Sequence, residues 1–348
     1  MEAIIQKASI LIEAIPYIHA FRRKVFVIKY GGSILDNESI RKNVLEDIVF
    51  LSYVGIRTIL VHGGGPHINS RLKESGLKSE FHEGIRVTDK ETLKIVQEEL
   101  DKLNKIIVKE VKDLKGDVTG LRGDENIIKV VKKKAAKDLG YVGSITDINK
   151  EILESHLKRG HITVVSPMGI NEKQIYNINA DEVASAIAHA MNAEKLVLLT
   201  NVQGVMRSQD DPNSLISTLT IAEVENLTKL NVISGGMIPK VGACLEALKM
   251  GVNKTHIVVA KITHGPARKR RKARNRRRPV TFQNFLEFVQ RIALCPEFLL
   301  LVSGQDRDVA ALAFEYQRRG SADERVTRDF FAALHRFQKI RIGVISDL

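Results

Sequence analysis

A chain of 348 residues, 44% of them hydrophobic, is long enough for two domains and rich enough in apolar side chains for a real core. No apolar run reaches the ~18 residues that a membrane span needs. Cys244 and Cys295 form neither a metal spacing nor a disulfide framework, which suits a reducing, cytoplasmic compartment. The net charge of +13 is uneven. Residues 265–348 hold 18 Lys+Arg against 9 Asp+Glu, leaving 36 against 32 for residues 1–264. The basic alphabet changes at the same place, from 27 Lys and 9 Arg before Gly265 to 3 Lys and 15 Arg from it onward.

The first 24 residues are interrupted by Glu2 and Glu13 and carry no cleavage site, so they read as an amphipathic helix rather than a signal peptide. VFVIKY, residues 25–30, predicts a strand ended by Gly31 and Gly32. Ile40, Val44, Ile48 and Leu51 share one face of a helix over 37–54. TILVHGGG, residues 58–65, is a second strand running into glycines. Thr88 or Asp89 can cap a long helix through Val111. Residues 127–133 and 144–148 read as short strands, in a hairpin. HITVVSPMG, residues 161–169, is a buried strand, and Asp181 opens a helix to Met191. KLVLLTNVQGV, residues 195–205, is a strand, residues 240–250 are a helix, and THIVVA is the last strand.

Strands alternating with helices predict a mainly parallel sheet covered on both faces. Ligands on such sheets sit beyond the carboxyl ends of the strands. Glycine and polar clusters fall there four times: Gly31 to Gly32, Gly63 to Gly65, Pro167 to Gly169 and Asn201 to Gly204. One such turn means little; four at equivalent ends predict one shared site.

Glycines let backbone N–H groups approach phosphate oxygens, although each cluster also reads as a plain tight turn. Neither GxxxxGK[ST] nor a kinase GxGxxG occurs. Lys29 at a strand end and Lys240 at a helix start could flank a transferring phosphoryl group, whose spread negative charge needs cations; the other reading makes both surface lysines. Asp181 is an obvious helix cap, or a carboxylate orienting the two lysines. Arg86 could clamp a carboxylate through two hydrogen bonds, or be merely solvated. His62 and His67 lack metal-ligand spacing and read as structural.

KYGGS, VHGGGPHI, GIRVTD, YNINADEVASAIA, LLTNVQGV and SGGMIPKVGACLEAL occur in the order and spacing of acetylglutamate kinases, and the chain resembles that branch of the amino-acid kinases over residues 8–264. The resemblance implies a three-layer α/β/α sandwich around a mainly parallel sheet. It divides the chain into an oligomerisation helix over 1–24, an amino-acid lobe over 25–190 and an ATP lobe over 191–264. It makes Lys29 and Lys240 catalytic, with Asp181 organising them. Gly64, Gly65, Arg86 and Asn177 would contact the acetylated amino acid. Gly31, Gly32, Thr200, Asn201, Gly204 and Gly236 would contact ATP, with Mg²⁺ held by the phosphates and no protein metal site. The N-terminal segment resembles that of arginine-inhibited hexamers, which implies a homo-oligomer, dimer or hexamer, and arginine as an inhibitor. Asn201 replaces the family's usual Asp, and Val259-Ala260 its Asp-Gly, which unsettles nucleotide or effector contacts. A kinase of acetyl-aminoadipate or of a carrier-bound amino acid is the alternative. A catalytically dead arginine sensor stands further behind.

The tail departs from the family. Where a short helix and a glycine-rich ending are expected, the chain reads GPARKRRKARNRRRPVT, with nine Lys or Arg among the eleven residues 268–278. Removing one G from the codon of Gly265 lets the same bases read Ala-Leu-Leu-Glu. Further on, the codons of residues 274–281 then permit Gly-Ile-Gly, two small residues, Leu and a stop. Residues 265–348 therefore read as an out-of-frame product of a single-base insertion, with weakened ATP-lobe and arginine-site contacts as the consequence. The competing reading is a genuine basic arm that binds nucleic acid, with Phe282, Phe285, Phe288 and Leu300 in a small helical domain.

Overall fold

The computed structural model describes residues 17–200, 205–207, 214–216, 218–233, 237–259 and 299–302. Residues 17–21 are helical and pack Phe21 edge-on against Phe26, with ring centroids 5.3 Å apart. Residues 1–16 of the expected N-terminal helix lie outside the described residues, and residues 22–24, also expected in it, form a turn instead. β1 (Val25–Tyr30) is central to an eight-stranded sheet and is buried along nearly its whole length, as a strand covered from both sides must be. A short 3-10 turn leads to α1 (Glu38–Tyr53), capped by Asn37, whose side chain accepts from the Ile40 N–H at 3.1 Å. β2 (Arg57–His62) runs into α2 (Gly65–Glu74). A small antiparallel hairpin, β3 (Phe81–His82) and β4 (Ile85–Arg86), precedes α3 (Lys90–Asp113). Asp89 rather than Thr88 caps α3: its carboxylate accepts from the Thr92 N–H at 2.7 Å.

β5 (Val118–Arg122) is followed by β6 (Ile128–Lys132) and β7 (Gly143–Ile148), which form the expected antiparallel hairpin. Then come α4 (Lys150–Lys158), β8 (Ile162–Ser166), β9 (Met168–Asn171), β10 (Gln174–Asn177) and α5 (Ala180–Ala190). β11 (Lys195–Thr200), β12 (Thr218–Thr220), α6 (Ile221–Lys229), α7 (Met237–Lys249), β13 (Lys254–Val259) and β14 (Leu299–Val302) complete the described elements.

The main sheet runs β12-β14-β13-β11-β1-β2-β8-β5, parallel from β13 through β5. The two-residue period of β1 sends Phe26 and Ile28 into one core and Val27 into the other. Val44, Ile48, Leu103 and Ile107, from α1 and α3, fill the first core. Val183, Ile187, Val241 and Leu248, from α5 and α7, fill the second. The expected three-layer sandwich is therefore present. A separate four-stranded sheet, β10-β9-β6-β7, stands beside it.

Two boundaries differ from the sequence reading. α7 begins at Met237, almost a turn before Lys240. The sheet does not end at β13, because β14 pairs antiparallel with it and parallel with β12. A continuous apolar stretch, Leu-Leu-Leu-Val, suits such a position, since strand pairing is made by the backbone and asks only for β-compatible side chains.

Candidate active site

Lys29 shares a face of β1 with Val27, the face that α5 and α7 cover. That alternation aims it at the start of α5, where its Nζ lies 2.9 Å from Asp181 Oδ1. Lys240, in the first turns of α7, brings its Nζ to 3.8 Å from Asp181 Oδ2. One carboxylate thus stands between two ammonium groups at the carboxyl end of the sheet. Lys29 and Asp181 are 9% and 5% exposed, so the pair is shielded from water. Burial holds the Lys240 ammonium below its ordinary pKa, and Lys29 adds to the lowering, while Asp181 opposes it.

The cap of α5 corrects the sequence reading. Asn179, not Asp181, is the N-cap: its side chain accepts from the Asp181 N–H at 2.8 Å. Asp181 is the second residue of the helix, in its first turn, where a negative charge is favoured by the helix dipole and the carboxylate is left for the lysines.

The turn after β1 is shaped around Lys29. A Cβ at Gly31 would lie 3.2 Å from Lys29 Cε and 3.3 Å from its Nζ, crowding the side chain that must pass there. Gly32 adopts φ +69°, a left-handed conformation natural to glycine. Gly31 also touches the second glycine loop, since its Cβ would lie 3.4 Å from Gly63 Cα. Gly64 is the N-cap of α2 and offers no side chain to its first N–H groups, which leaves them to a ligand.

Arg86 stands at the other end of these glycines. It is 7% exposed and donates from Nη1 to Ser79 Oγ, from Nη2 to Asn69 Oδ1 at 2.5 Å, and weakly to Gly65 O at 3.5 Å. The guanidinium carbon lies 4.7 Å from the Phe81 ring centroid. Every hydrogen-bond partner recorded for it is neutral, and burial alone lowers its pKa to about 10. Among the described residues this buried cation is held by dipoles and a ring, an arrangement that can receive an anion. Thr88 joins Arg86 to Asn177: its hydroxyl donates to Arg86 O at 3.0 Å and accepts from Asn177 Nδ2 at 3.2 Å.

Lys29, Lys240, Asp181, Gly31 and Gly32 therefore gather at one end, and Gly64, Gly65, Arg86 and Asn177 at the other. Thr200 is buried at the end of β11. Asn201, Gly204 and Gly236 lie outside the described residues. A groove of about 1040 Å³ borders the site along α5 and α7, lined by Asn179, Asp181, Glu182, Gly242 and Ala243 among others. Sequence reasoning missed Asn69, Ser79, Phe81 and Thr88. Asn69 lies four residues after Gly65 on α2, a helical spacing that could have placed it below the glycines. Nothing local marks Ser79 or Phe81.

The amino acid kinase family matches residues 24–259. An acetylglutamate kinase of Desulforamulus reducens is 45% identical over 264 residues, which are 75% of this chain and 92% of that one. The acetylglutamate kinase of Clostridioides difficile is 43% identical over 262 residues, 75% and 92% of the two chains. Among solved structures, a Streptococcus mutans protein superposes with a TM-score of 0.61 at 29% identity, over 67% of this chain and 94% of its own. The N-acetylglutamate synthase of Neisseria gonorrhoeae, complexed with coenzyme A and L-arginine, shares the fold with a TM-score of 0.63 at 22% identity, over 73% and 60% of the two chains. That match spans more than half of the chain, and the chain belongs to the amino acid kinase family.

Proposed function

We propose that this protein transfers the γ-phosphoryl group of MgATP to the side-chain carboxylate of N-acetyl-L-glutamate, forming N-acetylglutamyl 5-phosphate, the second step of arginine biosynthesis. The observation that carries this reading is Asp181 held between Lys29 and Lys240, at 2.9 and 3.8 Å, with the buried guanidinium of Arg86, whose partners among the described residues are neutral, across the glycine loops. The names of the similar kinases support it.

The nucleophile needs no general base, because a side-chain carboxylate is already ionised at neutral pH. One of its oxygens attacks the γ-phosphorus in line. The new O–P bond forms as the bond to the bridging oxygen breaks, and ADP leaves with that electron pair. The obstacle is the approach of two anions. Lys29 and Lys240 stabilise the charge on the transferring group, and Asp181 holds both ammonium groups in place. Backbone N–H groups beside Gly31 and Gly32 face the phosphates. Arg86 and Asn177 hold the α-carboxylate end, and Gly64 and Gly65 the reacting end. Magnesium enters as part of the nucleotide substrate, on phosphate oxygens. Among the described residues no group of three His, Cys, Asp or Glu side chains could hold a metal. Residues 25–190 supply the amino-acid side of this site and residues 191–264 the nucleotide side.

The decisive test is ATP consumption by the full chain with N-acetylglutamate, with N-acetyl-2-aminoadipate, and with neither. Turnover that needs acetylglutamate and falls with the longer acid supports the reading. Turnover only with the longer acid, or with neither, overturns it. Added arginine and light scattering test the proposed inhibition and the proposed oligomer.

We further propose that residues 265–348 are the product of a single-base insertion. Apart from β14, they lie outside the described residues. DNA sequencing across codons 263–281 of the source genome tests this: one fewer G supports the insertion, and the base confirmed in place overturns it.

A further inference from the structure

His62 closes β2 immediately before the three glycines and is completely buried. Its Nδ1 lies 3.0 Å from Gly63 O, and its Nε2 lies 3.2 Å from Asn104 Nδ2 on α3. The same Asn104 nitrogen is 3.2 Å from Val164 O on β8 and 3.3 Å from Leu121 O on β5. Two carbonyl oxygens therefore demand the amide NH₂ at that place, because a flipped amide would set oxygen against oxygen. The two amide hydrogens are shared among three acceptors, and since an amide nitrogen cannot accept, the Nε2 facing it carries no proton and is itself the acceptor. The ring proton must then sit on Nδ1 and be donated to Gly63 O. The other polar group of Gly63 is also engaged, its N–H donating to Tyr30 O at 2.8 Å. Both backbone polar groups of Gly63, one in each of its flanking peptide links, are thus tied down just before Gly64 and Gly65. The ring stays uncharged, since burial pushes its pKa down to about 4, with the Gly63 carbonyl opposing.

We propose that His62 and Asn104 are positioning residues for phosphoryl transfer: Asn104 selects the Nδ1-protonated ring of His62, and that ring anchors the Gly63 carbonyl so that Gly64 and Gly65 meet the acid substrate. The proposal rests on the reading of Gly64, Gly65 and Arg86 as the acetylglutamate site. It differs from an ordinary buried histidine in one respect, namely that the two ring nitrogens do separable jobs. Asparagine at position 62 places an amide N–H near the Nδ1 position and keeps the bond to Gly63. Glutamine places its amide near the Nε2 position and keeps the bond to Asn104 only.

The experiment compares His62→Asn, His62→Gln and Arg86→Gln in the full chain, reading KM for acetylglutamate, KM for ATP and the thermal midpoint. His62→Gln is expected to raise KM for acetylglutamate roughly tenfold, the scale of one lost hydrogen bond. His62→Asn should stay within about threefold, and KM for ATP should hold in both. Equal KM values for acetylglutamate in the two His62 variants overturn the proposal, whatever the thermal midpoints do. If Arg86→Gln raises that KM while the His62 pair do not differ, the site reading stands and only the positioning role falls. If Arg86→Gln leaves it unchanged, the site reading itself falls. Should a His62 variant fail to fold, nitrogen NMR of the histidine-labelled, unsubstituted protein decides. A proton on Nδ1 supports the proposal and a proton on Nε2 overturns it.

Discussion

The two ends of the candidate site handle charge in opposite ways. At one end, two lysines share one carboxylate, so the cations are partly neutralised and held in position before any substrate arrives. At the other, Arg86 is buried against Asn69, Ser79 and the Phe81 ring, with no carboxylate against it among the described residues. The first arrangement suits a charge that appears only as the reaction proceeds, because its donors need no reorganisation at that moment. The second suits a charge that the substrate brings with it, because ligand binding completes an unfinished ion pair. Damage at the lysine end should therefore appear in kcat, and damage at the arginine end in KM.

The sharpest way to break this contrast is Lys29→Ala, for which kcat should fall roughly 10²–10³-fold with little change in KM for acetylglutamate. Near-normal turnover in steady-state assays would end the assignment of Lys29. Asp181→Asn keeps the side-chain volume but leaves two lysines facing each other without a counter-charge. A fall in kcat of about 10²-fold is expected, since misplaced catalytic groups lose on that scale. Arg86→Lys tests the opposite end. It preserves the charge but not the planar fork, so KM for acetylglutamate should rise roughly tenfold while kcat stays within a few-fold. A drop confined to kcat would erase the distinction between the two ends.

A pH titration sharpens the lysine end. Lys240 carries its charge only below its pKa, and burial lowers that pKa from the ordinary 10.5. The profile of kcat/KM, which reports the free enzyme, should decline on the alkaline side with a midpoint below 10.5. Lys240→Arg should move that decline to higher pH, because a guanidinium keeps its proton. The smallest effect belongs to Asn69→Ala, which removes one neutral hydrogen bond from Arg86 and should raise KM for acetylglutamate about threefold.

Much of the site was legible because it lies where strands end. Lys29 declares itself as a charge inside the apolar run VFVIKY, and Gly31 and Gly32 follow at once. Arg86 was legible as a carboxylate clamp, and Asn177 through the resemblance. Their link through Thr88 was not, because 89 residues separate the partners of that hydrogen bond. The cap of α5 was misassigned because Asn179 and Asp181 are both good caps. Only the geometry shows that the amide takes the N–H and the carboxylate turns to the lysines. β5 and β10 were not anticipated, since their strand character comes from the neighbours they pair with rather than from local propensity.

By itself the sequence determined the layered α/β class, the most apolar strands with the long helices between them, and the glycine and polar residues at the carboxyl edge. Those follow from periodicity and from glycines at strand ends, both of them local properties. The tertiary structure alone decided which charges would be balanced and which left open. It set Asp181 between two lysines, enclosed Arg86 among neutral partners, and placed Asn104 against His62 across 42 positions of chain. The strength of a charge or of a hydrogen bond depends on what surrounds it in space and on how much water is excluded, and neither is written in adjacent residues.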